Sequence, residues 1–143
     1  MLRKIEKLQN NKGLAERVLS RLKVRNVTLN YHLKVYKSRG SKEYLRGFYD
    51  ILDSMTIGAA SEIGLPGHDA RYFSKKNNPE AEIFANLFEA YSNKDQRAWK
   101  YMREQIPVLT KAFERIMFTN KNKKWTSKNE LESITRQLFN EGE

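Results

Sequence analysis

The spacing of the apolar residues constrains the fold of this chain of 143 residues more than any other feature. Over most of the sequence, apolar residues recur every three or four positions, which is typical of amphipathic helices. Helices are predicted over about 2–24, 42–56, 79–92, 94–105, 107–118 and 127–139. This pattern predicts a compact, mainly α domain of five to six helices, with at most a small β element.

The segment 27–35 departs from this spacing. Its apolar residues fall at every second position, which favours a half-buried β-strand. They are Val27, Leu29, Tyr31, Leu33 and Val35. A helix is the alternative, because several of these side chains also share one helix face. A strand would need a partner for its edge, either a short segment near 57–65 or a second chain. The sequence therefore leaves an α+β fold open and predicts oligomerisation through 27–35.

The helix beginning at Pro79 has the clearest start signals in the sequence. Asn78 is a favoured N-cap, and proline suits the first helical position. Glu80 and Glu82 lie in the first turn, where the helix dipole favours acidic side chains. Residues 127–130 predict a second helix start, because their Ser and Glu have the spacing of a capping box.

Positive charge is concentrated at the two ends of the chain. The net charge is +10, from 27 Lys and Arg against 17 Asp and Glu, which favours a polyanionic partner and salt-sensitive association. The predicted contacts to nucleic acid or another polyanion are Arg3, Lys4, Lys7, Arg17, Arg21, Lys23, Arg25, Lys121, Lys123 and Lys124. The alternative is a solvated outer helix face. We divide the single domain into a basic helix (1–25), a helical core (26–118) and a basic linker with a last helix (119–143).

Several classes of protein are excluded by what the sequence lacks. With no cysteine, the chain has no disulfide, no cysteine nucleophile and no thiolate metal site. It has no apolar run of about 18 residues that would predict a membrane span, and no apolar signal core near its start. It also has no His-Glu-x-x-His motif, no Gly-x-x-x-x-Gly-Lys-Ser/Thr phosphate loop and no Gly-x-Ser-x-Gly elbow. We expect an intracellular or intravirion protein.

The segment 57–78 is predicted to be a long loop and holds the best candidate for a metal site. His68 follows Gly67, and flanking glycines let the backbone approach a ligand closely. Glu82 is expected near this loop, and an imidazole with a carboxylate supplies half of a zinc site. Alternatively, His68 is a satisfied loop histidine and Glu82 a charge at a helix start, because catalytic zinc needs three protein ligands.

Three blocks of sequence carry a resemblance to a known family. The segments 49–56, 67–73 and 80–90, followed by a proline-containing helix at 106–113, are similar to the C-terminal part of a zincin-like metallopeptidase module of tailed phages. That module occurs in minor head and head-morphogenesis proteins, and the similarity covers about residues 44–118. The resemblance implies that His68 and Glu82 are metal ligands. It also implies that the site is lined by Asp69, Tyr72 and Asn86.

The chain departs from this family at the position of its metal-binding helix. The family's His-Glu-x-x-His helix should precede the three blocks, but residues 1–43 hold a basic helix and the alternating segment instead. We therefore expect no zinc cofactor and no peptidase activity, and a degenerate zincin-like fold.

The predicted function is that of a noncatalytic phage structural or head-morphogenesis protein. Its basic ends are expected to bind DNA, or acidic partners among phage head or portal proteins, in the virion or in the cytoplasm of the bacterial host. One alternative is a metal-dependent hydrolase whose missing ligands come from another chain or from His32. A second is a small inhibitor or regulator of a nucleic-acid enzyme, because a basic surface suits a nucleic-acid channel.

Overall fold

Helices account for nearly all of the regular structure in the described part of this chain. A computed structural model describes residues 2–39, 42–67 and 79–119, with side chains for 12–39, 42–67 and 79–118. It contains α1 (Leu2–Arg21), α2 (Leu29–Arg39), α3 (Arg46–Met55), α4 (Ala59–Glu62), α5 (Pro79–Ser92), α6 (Arg97–Gln105) and α7 (Pro107–Thr119). A single 3-10 turn, Glu43–Leu45, precedes α3. The mainly α fold predicted from the sequence is confirmed, and none of the described helices is long and apolar enough to cross a bilayer.

The central element of the fold is α3. It packs most extensively against α5 and also contacts α1, α4 and α6. The apolar residues that recur at helical spacing in the predicted helix 42–56 are buried throughout, with exposed fractions between 0% and 3%. They are Leu45, Phe48, Tyr49, Leu52 and Met55. A helix with most of its surface covered must be apolar on more than one side, and Ile51 is also fully buried.

An aromatic cluster joins the three C-terminal helices. The ring of Phe113 on α7 lies 5.4 Å from that of Phe84 and 5.5 Å from that of Tyr91, measured between centroids. Trp99 on α6 completes the cluster at 5.8 Å from Phe113. These tilted and edge-on arrangements are the favoured geometries for aromatic pairs. The cluster fixes α5, α6 and α7 against one another.

The strand predicted over 27–35 is wrong, and the helical alternative is confirmed. Residues 29–39 form α2, and no strand occurs within the described ranges. The side chains facing the core are Leu29, His32, Leu33 and Tyr36, which follow the spacing of a helix. The alternation was misleading because Tyr31, one of its apolar members, is 42% exposed. The strand through which 27–35 was predicted to pair with another chain is therefore not formed.

The loop predicted over 57–78 is partly helical. Ala59–Glu62 forms the short helix α4, and side chains of Asp53 on α3 and of Thr56 just after it bind amides of its first turn. The hydroxyl of Thr56 accepts a hydrogen bond from the amide of Ala60 (3.2 Å), and Asp53 accepts one from Ser61 (2.9 Å). Side-chain caps of this kind satisfy amides that have no partner within the helix. Residues 68–78 lie outside the described residues.

Candidate functional site

Six of the site residues predicted from the sequence have described side chains. They are Arg17, Arg21, Lys23, Arg25, Glu82 and Asn86. The other proposed metal ligand and the remaining lining and contact residues lie outside the described side chains. These are His68, Asp69, Tyr72, Lys121, Lys123 and Lys124, together with Arg3, Lys4 and Lys7, whose backbone belongs to α1.

Glu82 and Asn86 lie one turn apart on α5. The side-chain amide of Asn86 donates a hydrogen bond to the backbone carbonyl of Glu82 (2.8 Å), and both residues are half-buried. Asn86 faces the start of α3, where its Oδ1 atom lies 3.4 Å from the position that a Cβ atom on Gly47 would take. Across the described ranges, no three side chains of the metal-ligating types come together. Of the two metal ligands that the resemblance implies, Glu82 belongs to the described residues and His68 does not.

Asn86 lines an open cleft of about 570 Å³ between the start of α3 and the connection from α5 to α6. The charged and amide side chains around it are Glu43, Arg46, Asp50, Asn86, Glu89, Asn93, Asp95 and Arg97. Arg97 donates two hydrogen bonds to Asp95 Oδ1 and Oδ2 through Nε (3.0 and 3.1 Å) and a third through its terminal nitrogen (2.7 Å). These bonds lower the pKa of the Asp95 carboxyl. The cleft offers hydrogen-bonding groups of both charges, and no imidazole belongs to its described lining.

Asp53 connects α3 to the turn before His68. Its side chain is fully buried. Gly67 has φ +149°, and a Cβ atom there would lie 2.5 Å from Asp53 Oδ2 and 2.7 Å from Asp53 Cγ. Only glycine allows this approach. The contact brings together the first two blocks of the resemblance, 49–56 and 67–73. The burial of Asp53 could have been predicted from its position four residues after Tyr49, on the apolar face of the helix.

His32 is a structural histidine in the core. It is fully buried, its Nε2 donates to the Asn26 carbonyl at 2.6 Å, and its ring packs against Phe48 with centroids 5.6 Å apart. Burial lowers the pKa of this imidazole, with a smaller opposing effect from the bond to Asn26. Its Nδ1 atom is buried without a hydrogen-bond partner among the described residues, as expected for the neutral tautomer. With Nε2 engaged and the ring buried, His32 does not supply the missing metal ligand of the hydrolase alternative.

The predicted basic contacts in the described part of α1 and the following turn are all exposed. Arg17, Arg21, Lys23 and Arg25 point to solvent, and α2 adds three exposed cations, Lys34, Lys37 and Arg39. Both ion pairs in the described part of the chain lie elsewhere, between Arg97 and Asp95 and between Arg103 and Glu114. The acidic side chain of Glu16 is used locally, because it accepts a hydrogen bond from the Leu29 amide at 3.2 Å and caps α2. The result is a cationic surface whose charges are uncompensated within the described ranges.

The segment that contains this cationic surface, residues 1–42, accounts for the net charge of the whole protein. Residues 1–42 contain twelve Lys and Arg against two Glu, and residues 43–143 contain fifteen of each sign. The sequence analysis located the part in 1–25, with eight of the twelve cations, and missed the contribution of α2. The reason was the strand assigned to 27–35, which would have directed alternate side chains to opposite faces of a sheet. The C-terminal end that it described as basic, 119–143, has five Lys and Arg against four Glu.

Polar contacts anchor the cationic surface to α6. The Arg25 amide donates to the Gln105 carbonyl at 2.8 Å, and the Asn26 side chain donates to Gln105 Oε1 at 3.0 Å. At the other end of α2, the guanidinium of Arg39 lies over the ring of Tyr101, 5.5 Å from its centroid. A cation in this position is attracted by the face of the aromatic ring. Both ends of the segment 25–39 are therefore held against one helix.

A second anchor consists of tyrosines beneath α2. The rings of Tyr36 and Tyr49 meet edge to face with centroids 5.3 Å apart. The Tyr49 hydroxyl is buried and has no hydrogen-bond partner among the described residues. Burial, reinforced by the neighbouring Tyr101, raises the pKa of Tyr49 to about 12. This phenol is therefore neutral at physiological pH, and its ring serves as packing between α2 and α3.

These contacts describe a cationic surface on a rigid helical core, with a separate cleft of mixed charge. Both the surface and the cleft are formed by side chains of this chain. In comparisons with known proteins, no family model matches the chain, and neither a curated protein nor a solved structure matches it.

Proposed function

We propose that this chain is a noncatalytic protein that binds DNA through α1, α2 and the turn between them. The observation that carries the proposal is the placement of charge: the whole net charge of +10 falls within residues 1–42. A protein selected only for solubility would spread its excess charge over the surface. Excess charge confined to two consecutive helices supports a polyanionic partner.

The arrangement of these cations suits the phosphate backbone of a duplex. Lys and Arg side chains that carry no ion pair can neutralise phosphates without first breaking contacts within the protein. Within the described ranges, six such side chains are exposed between Arg17 and Lys37, and Arg39 is also exposed but lies over the Tyr101 ring. Contacts of this type hold a protein on DNA without reading its sequence. The expected binding is strong at low salt and similar for different sequences.

A structural role in a tailed-phage head follows if the resemblance of residues 44–118 is correct. A basic protein in the virion, or in the cytoplasm of the infected bacterium, would meet packaged DNA and the acidic surfaces of head or portal proteins. The noncatalytic part of the proposal is supported by His32, whose imidazole is buried and hydrogen-bonded. It is also supported by the missing His-Glu-x-x-His motif.

The proposal is tested by fluorescence anisotropy with a labelled duplex at several salt concentrations. Neutralising Arg25, Lys34 and Lys37 to Gln should lower the affinity at least about tenfold at low salt. The salt dependence should become shallower by about 0.9 for each phosphate that the variant no longer neutralises. The weakening should be the same for unrelated duplex sequences. The matched control replaces Lys94, Lys100 and Lys111 with Gln, which removes the same charge from exposed sites in the neutral part of the chain.

Two outcomes would contradict DNA binding through this surface. One is an equal decrease of affinity in the two triple variants, which would mean that only total charge matters. The other is the absence of salt-dependent duplex binding by the unaltered protein. Retained binding to an acidic phage head protein in that second case would assign the same surface to a protein partner.

A further inference from the structure

An apolar groove lies between α1 and the turn that joins α3 to α4. Its volume is about 270 Å³. The apolar side chains along it are Leu14, Ala15, Val18, Met55, Ile57 and Ala59. Leu14 on one wall is 56% exposed and Ile57 on the other is 57% exposed, which makes them two of the most exposed large apolar side chains in the described part of the chain. The groove therefore presents apolar surface to solvent from two elements.

The backbone at Ile57 is strained. This residue has φ +50°, a left-handed conformation that a β-branched side chain rarely adopts. The turn is held in place by hydrogen bonds from the amides of Thr56 to Leu52 (3.1 Å) and of Gly58 to Asp53 (2.9 Å). Glycine or asparagine would take this conformation at lower energy and expose less apolar surface. An isoleucine in this exposed position is thus unfavourable for the isolated fold, which points to a role in binding.

The charges beside the groove indicate what it would bind. Arg17 and Arg21 follow Leu14 and Val18 at a spacing of three, so they lie along the outer edge of the same wall. Both are exposed, and neither belongs to an ion pair within the described ranges. The opposite wall ends in Glu62. A ligand complementary to this groove would have an apolar stripe and acidic groups on the side that faces α1.

We propose that this groove binds an amphipathic α-helix of a protein partner, with its apolar residues between Leu14 and Ile57 and its acidic residues on Arg17 and Arg21. An amphipathic helix places anchors at spacings of three and four along one face, which is the usual way such a segment occupies a groove. This interaction shares Arg17 and Arg21 with the proposed DNA-binding surface and does not use Arg25, Lys34 or Lys37. It gives the protein a second partner of different chemistry, recognised by apolar contacts with a charged border.

The probe for this proposal is a synthetic peptide of about 18 residues, or five helical turns. It carries leucines at helical spacing flanked by glutamates, and its control carries lysines in place of every glutamate. Fluorescence anisotropy with the full chain should show at least about tenfold tighter binding of the acidic peptide. The double reversal Arg17→Glu and Arg21→Glu should invert this preference.

The decisive variant is Ile57→Asn. Because asparagine tolerates a positive φ, this change should raise the melting temperature while it weakens binding of the acidic peptide at least about tenfold. A residue with only a structural role would not change stability and binding in opposite directions. Phe88→Asn is the matched control, because Phe88 is also exposed (39%) but lies on α5, away from the groove. It should leave peptide binding unchanged.

Three results would overturn the proposal. They are equal binding of the two peptides, binding that Ile57→Asn leaves unchanged, and a dimer in light scattering that Ile57→Asn converts to monomers. The last result would assign the groove to a second copy of the chain. Duplex affinity of Ile57→Asn is measured in parallel and should equal that of the unaltered protein, so that failure here is distinguishable from failure of the DNA-binding proposal.

Discussion

Among the described residues, the two N-terminal helices and the five that follow differ in how they use their side chains. Residues 1–42 carry the entire net charge, and nearly all of the described cations there are exposed and without ion pairs in the described ranges. Helices α3 to α7 belong to a neutral segment and hold most of the buried aromatic side chains. Because excess charge lies outside the main core, repulsion between cations does not act within it. The binding surface and the core can therefore be altered separately.

The two regions meet at a small polar joint. Gln105 of α6 binds the backbone of Arg25 and the side chain of Asn26, and the carbonyl of Asn26 accepts a hydrogen bond from His32. His32 in turn packs against Phe48 of α3. These hydrogen bonds and this ring contact define the geometry of the joint. Substitutions in the core, at close backbone contacts and in the joint test how much each region contributes to stability.

The largest expected effect is in the aromatic cluster of the neutral region. Phe113→Ala should lower the free energy of unfolding by about 3–5 kcal/mol, because the removed ring is fully buried against three other aromatic rings. Urea unfolding followed by circular dichroism measures the change. Phe88→Ala, at a 39% exposed site on the same helix bundle, is the control and should cost much less. A similar decrease in both variants would show that the cluster is not the main source of stability.

A pair of glycines compares the two regions directly. Gly67→Ala should lower the free energy of unfolding by about 2–4 kcal/mol, since the added Cβ meets Asp53 and the backbone has a positive φ. Gly13→Ala in α1 should raise it by about 0.5–1 kcal/mol, because a Cβ atom there meets nothing within 4 Å among the described residues and alanine favours the helix. Denaturant midpoints of the two variants test both signs. A stabilising Gly67→Ala would contradict the close contact with Asp53.

The smallest effect concerns pH and the joint at His32. Its pKa in the folded protein is below the ordinary value of 6.5, so the unfolded chain takes up a proton that the folded chain excludes. Stability is therefore greatest above pH 6.5 and is lost as the pH falls through that value, until the folded imidazole also protonates. The melting temperature should be lower at about pH 5.5 than at about pH 7.5. In His32→Gln this difference should shrink, and an unchanged difference would assign it to other groups.

Local sequence signals predicted those parts of the fold in which neighbours along the chain decide the structure. The start of α5 at Pro79 and the buried face of α3 agree with the sequence analysis, because capping and helical spacing are properties of a few adjacent residues. The segment 27–35 shows the limit of such signals. Its apolar residues fit both the alternation of a strand and the spacing of a helix. Contacts of His32 and Tyr36 with α3 favour the helix.

The candidate sites were predicted less completely than the fold. Exposed cations at Arg17 to Arg25 follow from the sequence, since long charged side chains are rarely buried. The resemblance named Asn86 as lining a metal site, and nothing in the sequence indicated the cleft of mixed charge beside it or the groove at Ile57. A left-handed isoleucine can be recognised only when the hydrogen bonds that hold the turn are known.

Helicity, strong basicity and the absence of cysteine chemistry follow from the sequence, because these properties depend on composition and on spacing within a few turns. The packing of the helices places Asp53 and His32 in the interior and brings Leu14 and Ile57 together in one groove. Each of these depends on which distant segments come into contact. Burial and proximity are set by packing between helices, which no local pattern specifies.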